Sequence, residues 1–331
     1  MPDYPDEIDR NLFRLLCMDS RMSGKQMAKR LGISEVTLRT RKRRLEERFG
    51  IRYTIEIDPK VLPFRSIIAA KLKHRPDKEK LISLLRRSLI PQFAAICDGE
   101  FNLLLYTTAV SHIEYMQWQY AFRTAYEDEL IFWKPSHILL ERFGIFPLRD
   151  ELIASLPLEE PEPQILAALC EDSTVSLLEI ARRTGLPLST VQYHFKKMVK
   201  GDLIRRFTAV MQNPPRYNFI ATFMTFTYGK KYQEHSKKVR HIVMSEKDCK
   251  PLNRYLSVAE LDGVYDAFQL TAFEDASEGY GHIGMLEQLC EGTMHASNSL
   301  MSEVVFGLPP FRSMDPDLTY DETDWTQGKR R

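Results

Sequence analysis

The chain has 331 residues, 44% hydrophobic and 27% charged, a size for two or more domains and the composition of an ordinary globular protein. Lys+Arg number 46 and Asp+Glu 45, for a net charge of +1. That excludes a uniformly basic coating protein but leaves room for local basic patches. No apolar stretch approaches the ~20 residues of a membrane span. The opening MPDYPDEIDR is acidic and lacks the apolar core of a signal peptide. Cys17, Cys97, Cys170, Cys249 and Cys290 form no CxxC pair. This fits a reducing, cytoplasmic setting and argues against a zinc ribbon or disulfide framework.

In chain order, the first 50 residues predict three short helices. Ile8, Leu12, Leu15 and Leu16 lie at helical spacing. Ser23 caps a second helix carrying Met27, Ala28 and Leu31, and Gly32 ends it. Ser34 caps a third, with Leu38, Leu45 and Phe49 on one stripe. The period then changes. Strands are expected at 51–58, 64–73, 92–97, 101–109 and 130–141, with helices at 77–89 and 111–127. Residues 146–164, with four prolines and several acids, read as a boundary with one helical turn near 149–155.

The plan then repeats at an offset of 153. LLCMDS (15–20) meets ALCEDS (168–173), and Ser23, Ala28, Gly32, Thr37 and Ile51 meet Ser176, Ala181, Gly185, Thr190 and Ile204. A domain-sized period reads as a duplication and not a solenoid. The second copy offers strands at 204–211, 217–228, 252–259, 264–273 and 299–306, with helices at 231–246 and 277–291. In both copies the order β-α-β-β-α-β is the ferredoxin-like plan. The expected fold is therefore α+β, with two tandem units, each a winged or three-helix helix-turn-helix head followed by a ferredoxin-like (βαββαβ) domain. Boundaries are placed at 1–50 (head), 51–146 (sheet unit), 147–163 (linker), 164–204 (head), 205–308 (sheet unit) and 309–331 (flexible tail).

Charge is concentrated on the heads. Residues 21–48 hold ten basic and three acidic side chains, and 174–206 hold seven and two. With +7 and +5 there and +1 in all, the remaining residues carry a net of −11. A short helix, a glycine turn and a second helix place that second helix in a DNA major groove, where cations meet phosphates. The DNA-binding candidates in the first head are Ser34, Glu35, Thr37 and Thr40 near base edges, with Arg39, Arg41, Arg43 and Arg44 around them. In the second they are Ser189, Thr190, Gln192, Tyr193 and His194, with Lys196 and Lys197 behind. Pro187 stands where the second head should have its capping serine. Lys42 falls on the buried stripe and is expected to snorkel.

DEIDRNLFRLL and SGKQMAKRLGISEVTLRTRKRRLEERFGI (residues 6–51) resemble the N-terminal domain of the Lrp/AsnC (feast/famine) transcriptional regulators. EIARRTGLPLSTVQYHFKKMVKGDLI (179–204) does so more loosely. The resemblance implies a DNA-binding transcription regulator whose ferredoxin-like RAM domains carry effector and oligomer contacts. Most members have one copy and dimerise, so two copies imply a single-chain pseudo-dimer, or a higher homo-oligomer, on double-stranded DNA. The family's glycine loop, echoed at Gly99-Glu100-Phe101-Asn102 and Gly263-Val264-Tyr265-Asp266, makes Asp98, Gly99, Asn102, Asp262, Gly263 and Asp266 the effector-binding candidates for an amino acid or similar molecule.

The same plan is similar to that of siroheme decarboxylases, which act on a tetrapyrrole between two α+β domains. LIRRFTAV (203–210) echoes part of their pattern. Their histidine-containing strand has no counterpart at 92–97 or 252–259. His74, His112, His137, His194, His235, His241, His282 and His295 do not repeat at matching positions. With no P-loop, no GxGxxG after a strand, no HExxH and no GxSxG, no catalytic residue, metal or cofactor is expected. Tyr115, Trp118, Tyr120, Phe122 and Tyr126 read as core or interface.

Overall fold

The computed structural model describes residues 6–58, 61–143, 146–212, 218–227, 255–273, 275–290 and 292–308. The helix expected at 231–246 and the tail at 309–331 lie outside them.

The first head is α1 (Glu7–Met18), α2 (Gly24–Leu31) and α3 (Glu35–Phe49). Each start is fixed by a side chain that accepts an otherwise orphaned backbone N–H. Asp6 accepts from Asp9, Ser23 from Gln26 and Ser34 from Thr37. Gly32 and Gly50 end α2 and α3 at φ 65° and 58°, the left-handed region that favours glycine. β1 (Ile51–Ile57) leaves the head, and β2 (Phe64–Leu72), α4 (Lys78–Arg86), β3 (Pro91–Gly99), β4 (Leu103–Ala109), α5 (His112–Ala125) and β5 (Leu130–Phe143) follow. A short α6 (Asp150–Ala154) sits in the proline-rich stretch.

The second head is α7 (Glu162–Glu171), α8 (Leu177–Thr184) and α9 (Leu188–Lys200). Ser176 caps α8, but Pro187 precedes α9 with no side-chain cap. Then come β6 (Ile204–Met211), β7 (Asn218–Phe226), β8 (Tyr255–Gly263), β9 (Ala267–Phe273), α10 (Ala276–Leu289) and β10 (Met294–Phe306).

Eight strands close into one barrel in the order β10-β3-β4-β2-β5-β8-β9-β7. Within it, β3-β4-β2-β5 and β8-β9-β7-β10 are two ferredoxin-like sheets. They join where β5 meets β8 and β10 meets β3. At the joints Gly263 pairs with Ser136 and Gly99 with Ser299. A Cβ on Gly99 would lie 2.6 Å from the Asn298 carbonyl, so only glycine lets the two halves approach this closely. The inside is packed with side chains, and Phe101 meets Phe223 edge-on across the halves at 5.4 Å. Tyr115, Trp118, Phe122 and Tyr126 are buried between α5 and the sheet, while Tyr120 is exposed.

β1 and β6 stand outside the barrel. They pair antiparallel from Ile51↔Met211 to Ile57↔Ile204. The sequence pattern places the strand at 51–58 in the first sheet unit (51–146), whereas β1 pairs with β6 outside the barrel. Alternation marks a strand but does not name its partner, and here the partner is about 150 residues away.

The ribbon also exchanges cores between the heads. Ala209 and Met211 of β6 pack into the first head's cluster, and Ile55 and Ile57 of β1 into the second's. Cys17 donates to the Ala209 carbonyl at 3.3 Å, and Thr208 donates to the Cys17 carbonyl at 2.8 Å. Each head thus finishes its core with a strand from the other half of the chain.

Candidate nucleic-acid interface

In the first head, α3 turns Leu38, Leu45 and Phe49 inward. Helical spacing then leaves Glu35, Thr37, Arg39, Thr40 and Arg43 exposed, with the capping Ser34 at the end. Ser34 also bonds the Thr37 hydroxyl at 2.8 Å, and Thr40 donates back to the Val36 carbonyl. The structure adds one residue that the sequence reading missed. Val36 is 71% exposed on the same face, and an apolar side chain there suits a thymine methyl. Its place between Glu35 and Thr37 on an outward helix start was the available signal.

Arg41 and Arg44 are placed differently. Arg41 bonds Asp6 at 2.6 Å and Asp9 at 2.8 Å, and Arg44 bonds Asp9. Asp9 is almost wholly buried. Burial pushes the Asp6 carboxyl up, but hydrogen bonds from Arg41 and the Asp9 N–H, with the nearby guanidinium charges, outweigh it and hold its pKa below the ordinary value. Its hydrogen bonds to Asp6 and Asp9 raise the Arg41 pKa. Both arginines, expected from the sequence around the groove, tie α3 to α1, Arg41 half-buried and Arg44 half-exposed. A charge count cannot see this, because the partners lie some 32 to 35 residues earlier.

The second head repeats the device with other residues. His194 Nδ1 lies 3.2 Å from Glu162, and Lys197 bonds Glu162 at 2.9 Å and also Glu159. Those hydrogen bonds raise the Lys197 pKa and lower that of Glu159. The offset of 153 maps Asp6, Asp9, Arg41 and Arg44 onto Glu159, Glu162, His194 and Lys197. The signal for it in the sequence is the shared offset together with the matching acidic or basic character of each pair. His194, a base-edge candidate in the sequence, is mostly buried and faces Glu162 of α7. Ser189, Gln192, Tyr193 and Lys196 are exposed on α9, and Thr190 is half-buried.

The two heads touch. The Ser20 and Ser173 hydroxyls, also related by 153, bond each other at 2.7 Å. Arg21 reaches across, donating to the carbonyls of Ser173 (2.6 Å) and Val175 (2.9 Å). Its guanidinium lies 4.7 Å from the Phe207 ring centre and 5.1 Å from that of Phe195. Lys42, half-buried, lies over the Tyr53 ring beside Glu46, as snorkelling predicts.

Of the glycine-loop residues, Asn102 is buried, donating to the Leu72 and His74 carbonyls and accepting from the Leu72 N–H. Asp266 accepts from the Phe226 N–H. Asp98 pairs with Arg75, and Asp262 is exposed. These loops hold strand ends together, and Asn102 has its amide committed to backbone.

Residues 6–46 match the AsnC-type helix-turn-helix domain, and residues 159–205 match a winged helix-turn-helix DNA-binding domain. By these matches the first head is similar to AsnC-type helix-turn-helix domains and the second to winged ones. The chain is 37% identical over 87 residues to an uncharacterised HTH-type transcriptional regulator of Pyrococcus furiosus, covering 26% of this chain and 58% of that protein. It is 39% identical over 74 residues to the HTH-type transcriptional regulator LrpA of Pyrococcus horikoshii, covering 22% and 52%. The chain thus spans about half the length of the curated relatives it matches. Among solved structures, the siroheme decarboxylase NirDL is similar in fold, with a TM-score of 0.58 at 13% identity over 94% of this chain and 96% of that one. The two-unit fold is thus one that an enzyme also has. Among the described residues no helix is long and apolar enough to cross a membrane.

Proposed function

We propose that the chain is a sequence-specific DNA-binding transcription regulator acting as a single-chain pseudo-dimer with two unlike heads. One observation carries this reading. The start of α3 presents Val36, Thr37, Arg39, Thr40 and Arg43 outward, while carboxylates of α1 hold the back of the same helix. An anchored helix with a mixed apolar, hydroxyl and arginine face suits a major groove. Lys25, Lys29 and Arg30, exposed on α2, add phosphate-facing charge.

Inter-head contacts through Arg21, Ser20 and Ser173 set the spacing of the two recognition helices. Because α3 and α9 carry different faces, the preferred site is asymmetric, with unlike half-sites about one helical turn apart. Binding-site selection from random duplexes tests this. A palindrome with equal half-sites would overturn it.

The fold shared with NirDL favours a second reading, an enzyme acting on siroheme. The barrel interior between the two sheets is filled by aromatic and aliphatic side chains. His137 and His194 are engaged with Ser66 and Glu162. Titration with siroheme decides between the two, the regulator reading expecting no Soret shift.

A further inference from the structure

We infer that the cleft between the ribbon, the linker and the barrel is a binding site for a small organic anion carrying two or more carboxylate or phosphate groups. It is separate from both the recognition helices and the glycine loops.

Four parts of the chain meet there. Arg52 comes from β1, Arg86 from the last turn of α4, Arg149 with Asp150 and Glu151 from the linker, and Phe306 from the end of β10. The space is about 540 Å³ and adjoins a recess of about 90 Å³ that shares Arg52 and Arg149. That volume is in the usual range for small-molecule sites.

Two of the guanidinium groups are already fixed. Arg52 Nη2 donates to both oxygens of Asp150 (2.6 and 2.9 Å) and to the Cys170 carbonyl (3.0 Å). Arg149 Nη1 donates to the Ser88 carbonyl at 2.8 Å, and its guanidinium lies 5.0 Å from the Phe306 ring centre. The Arg149 N–H is held by Gln92, which is wholly buried. Gly307 closes the wall, and a Cβ there would strike the Gln92 carbonyl at 2.0 Å. Fixed donors bind with less ordering cost than mobile ones.

The charge balance points to an anion. Asp150 answers Arg52, and Glu151 lies 3.5 Å from Arg149. Arg86 is exposed, with no carboxylate in ion-pair range among the described residues. The cleft therefore has one uncompensated guanidinium beside two with further N–H donors, over an apolar floor of Val305 and Phe306. Guanidinium forks match carboxylate and phosphate oxygens. A ligand there touches the strand that joins the heads, the linker and the end of β10 together, so it would bear on how the heads sit against the barrel. The site itself does not depend on whether the heads bind DNA.

Calorimetric titration of the full chain with citrate and with pyrophosphate, each matched in ionic strength by sodium chloride, tests the site. Binding of either is expected. Citrate alone would assign a polycarboxylate, pyrophosphate alone a phosphate ester, and both the shared oxyanion chemistry. Arg86→Gln, on an exposed helix end, should weaken binding about tenfold, the loss of one charge-assisted contact, and Arg86→Lys should recover part of it. Arg39→Gln/Arg43→Gln should leave it unchanged. No binding of either anion, unchanged binding in Arg86→Gln, or a loss confined to the Arg39/Arg43 variant would overturn the inference.

Discussion

The two heads share one skeleton but differ in what they offer outward. Both anchor the recognition helix to the first helix through a buried carboxylate, Asp9 in one and Glu162 in the other. The first uses arginines for this, keeps a serine cap, and still has Lys25, Lys29, Arg30 and Arg39 exposed without ion-pair partners among the described residues. The second uses His194 and Lys197, lacks the cap, and directs Arg205 and Arg206 at Glu56. Lys196 and Lys200 are the exposed cations left to it on α9. Basic residues on the third helix of a head therefore divide into those that hold the helix and those that face outward, and composition alone does not separate them.

This contrast can be broken most sharply by affinity. Arg39→Ala/Arg43→Ala should reduce binding to a selected DNA site by roughly one hundredfold and lower the salt slope by about 2. Lys196→Ala should lower that slope by about 1 with a smaller loss. Equal losses, read by fluorescence anisotropy across a salt series, would erase the distinction between the heads.

Stability gives the next effect. Asp9→Ala should destabilise the first head by about 2 kcal/mol, since it strips charge-assisted hydrogen bonds from Arg41 and Arg44. Urea denaturation should show it, and Arg41→Ala should act mainly on stability with the DNA salt slope nearly unchanged. A slope loss in Arg41→Ala as large as that of Arg39→Ala would return Arg41 to the phosphate contacts.

Smaller still is the cap. Ser34→Ala should cost about 1 kcal/mol, and Pro187→Ser should stabilise the second head by up to about that amount. Thermal melting that shows no difference between the heads would mean that the caps are equivalent.

Smallest is a pH effect at Asp6. Its folded pKa is depressed, so its contribution is complete above the ordinary carboxylate value and fades as pH falls through the depressed one. Asp6→Asn should therefore lower stability by less than about 1 kcal/mol near neutrality, as a half-exposed pair allows. The gap from the parent should close in acid. A gap that widened below pH 4 would reverse the assigned sign.

Much of the fold was legible because it is locally encoded. The caps at Ser23 and Ser34, the turns at Gly32 and Gly185, and the stripe of Leu38, Leu45 and Phe49 each lie within a few residues of what they determine. The strands were legible too, as runs. Their partners were not. That β1 pairs with β6, and that β5 and β10 close a barrel with the opposite half, depends on register between segments far apart in the chain. The site was half legible for the same reason. Exposure of Thr37 and Arg39 follows from helical period, whereas the capture of Arg41 by Asp6 and Asp9 follows from how two helices cross.

The swapped ribbon has a consequence for how the protein is made. The first head needs Ala209 and Met211, which are synthesised about 160 residues after α3 ends. At ~5–20 residues per second this head waits on the order of 10 s on the ribosome before its last strand exists. During that interval its apolar edge is open to any neighbouring nascent chain, and chaperone cover over the first half of translation becomes part of making a correctly paired molecule.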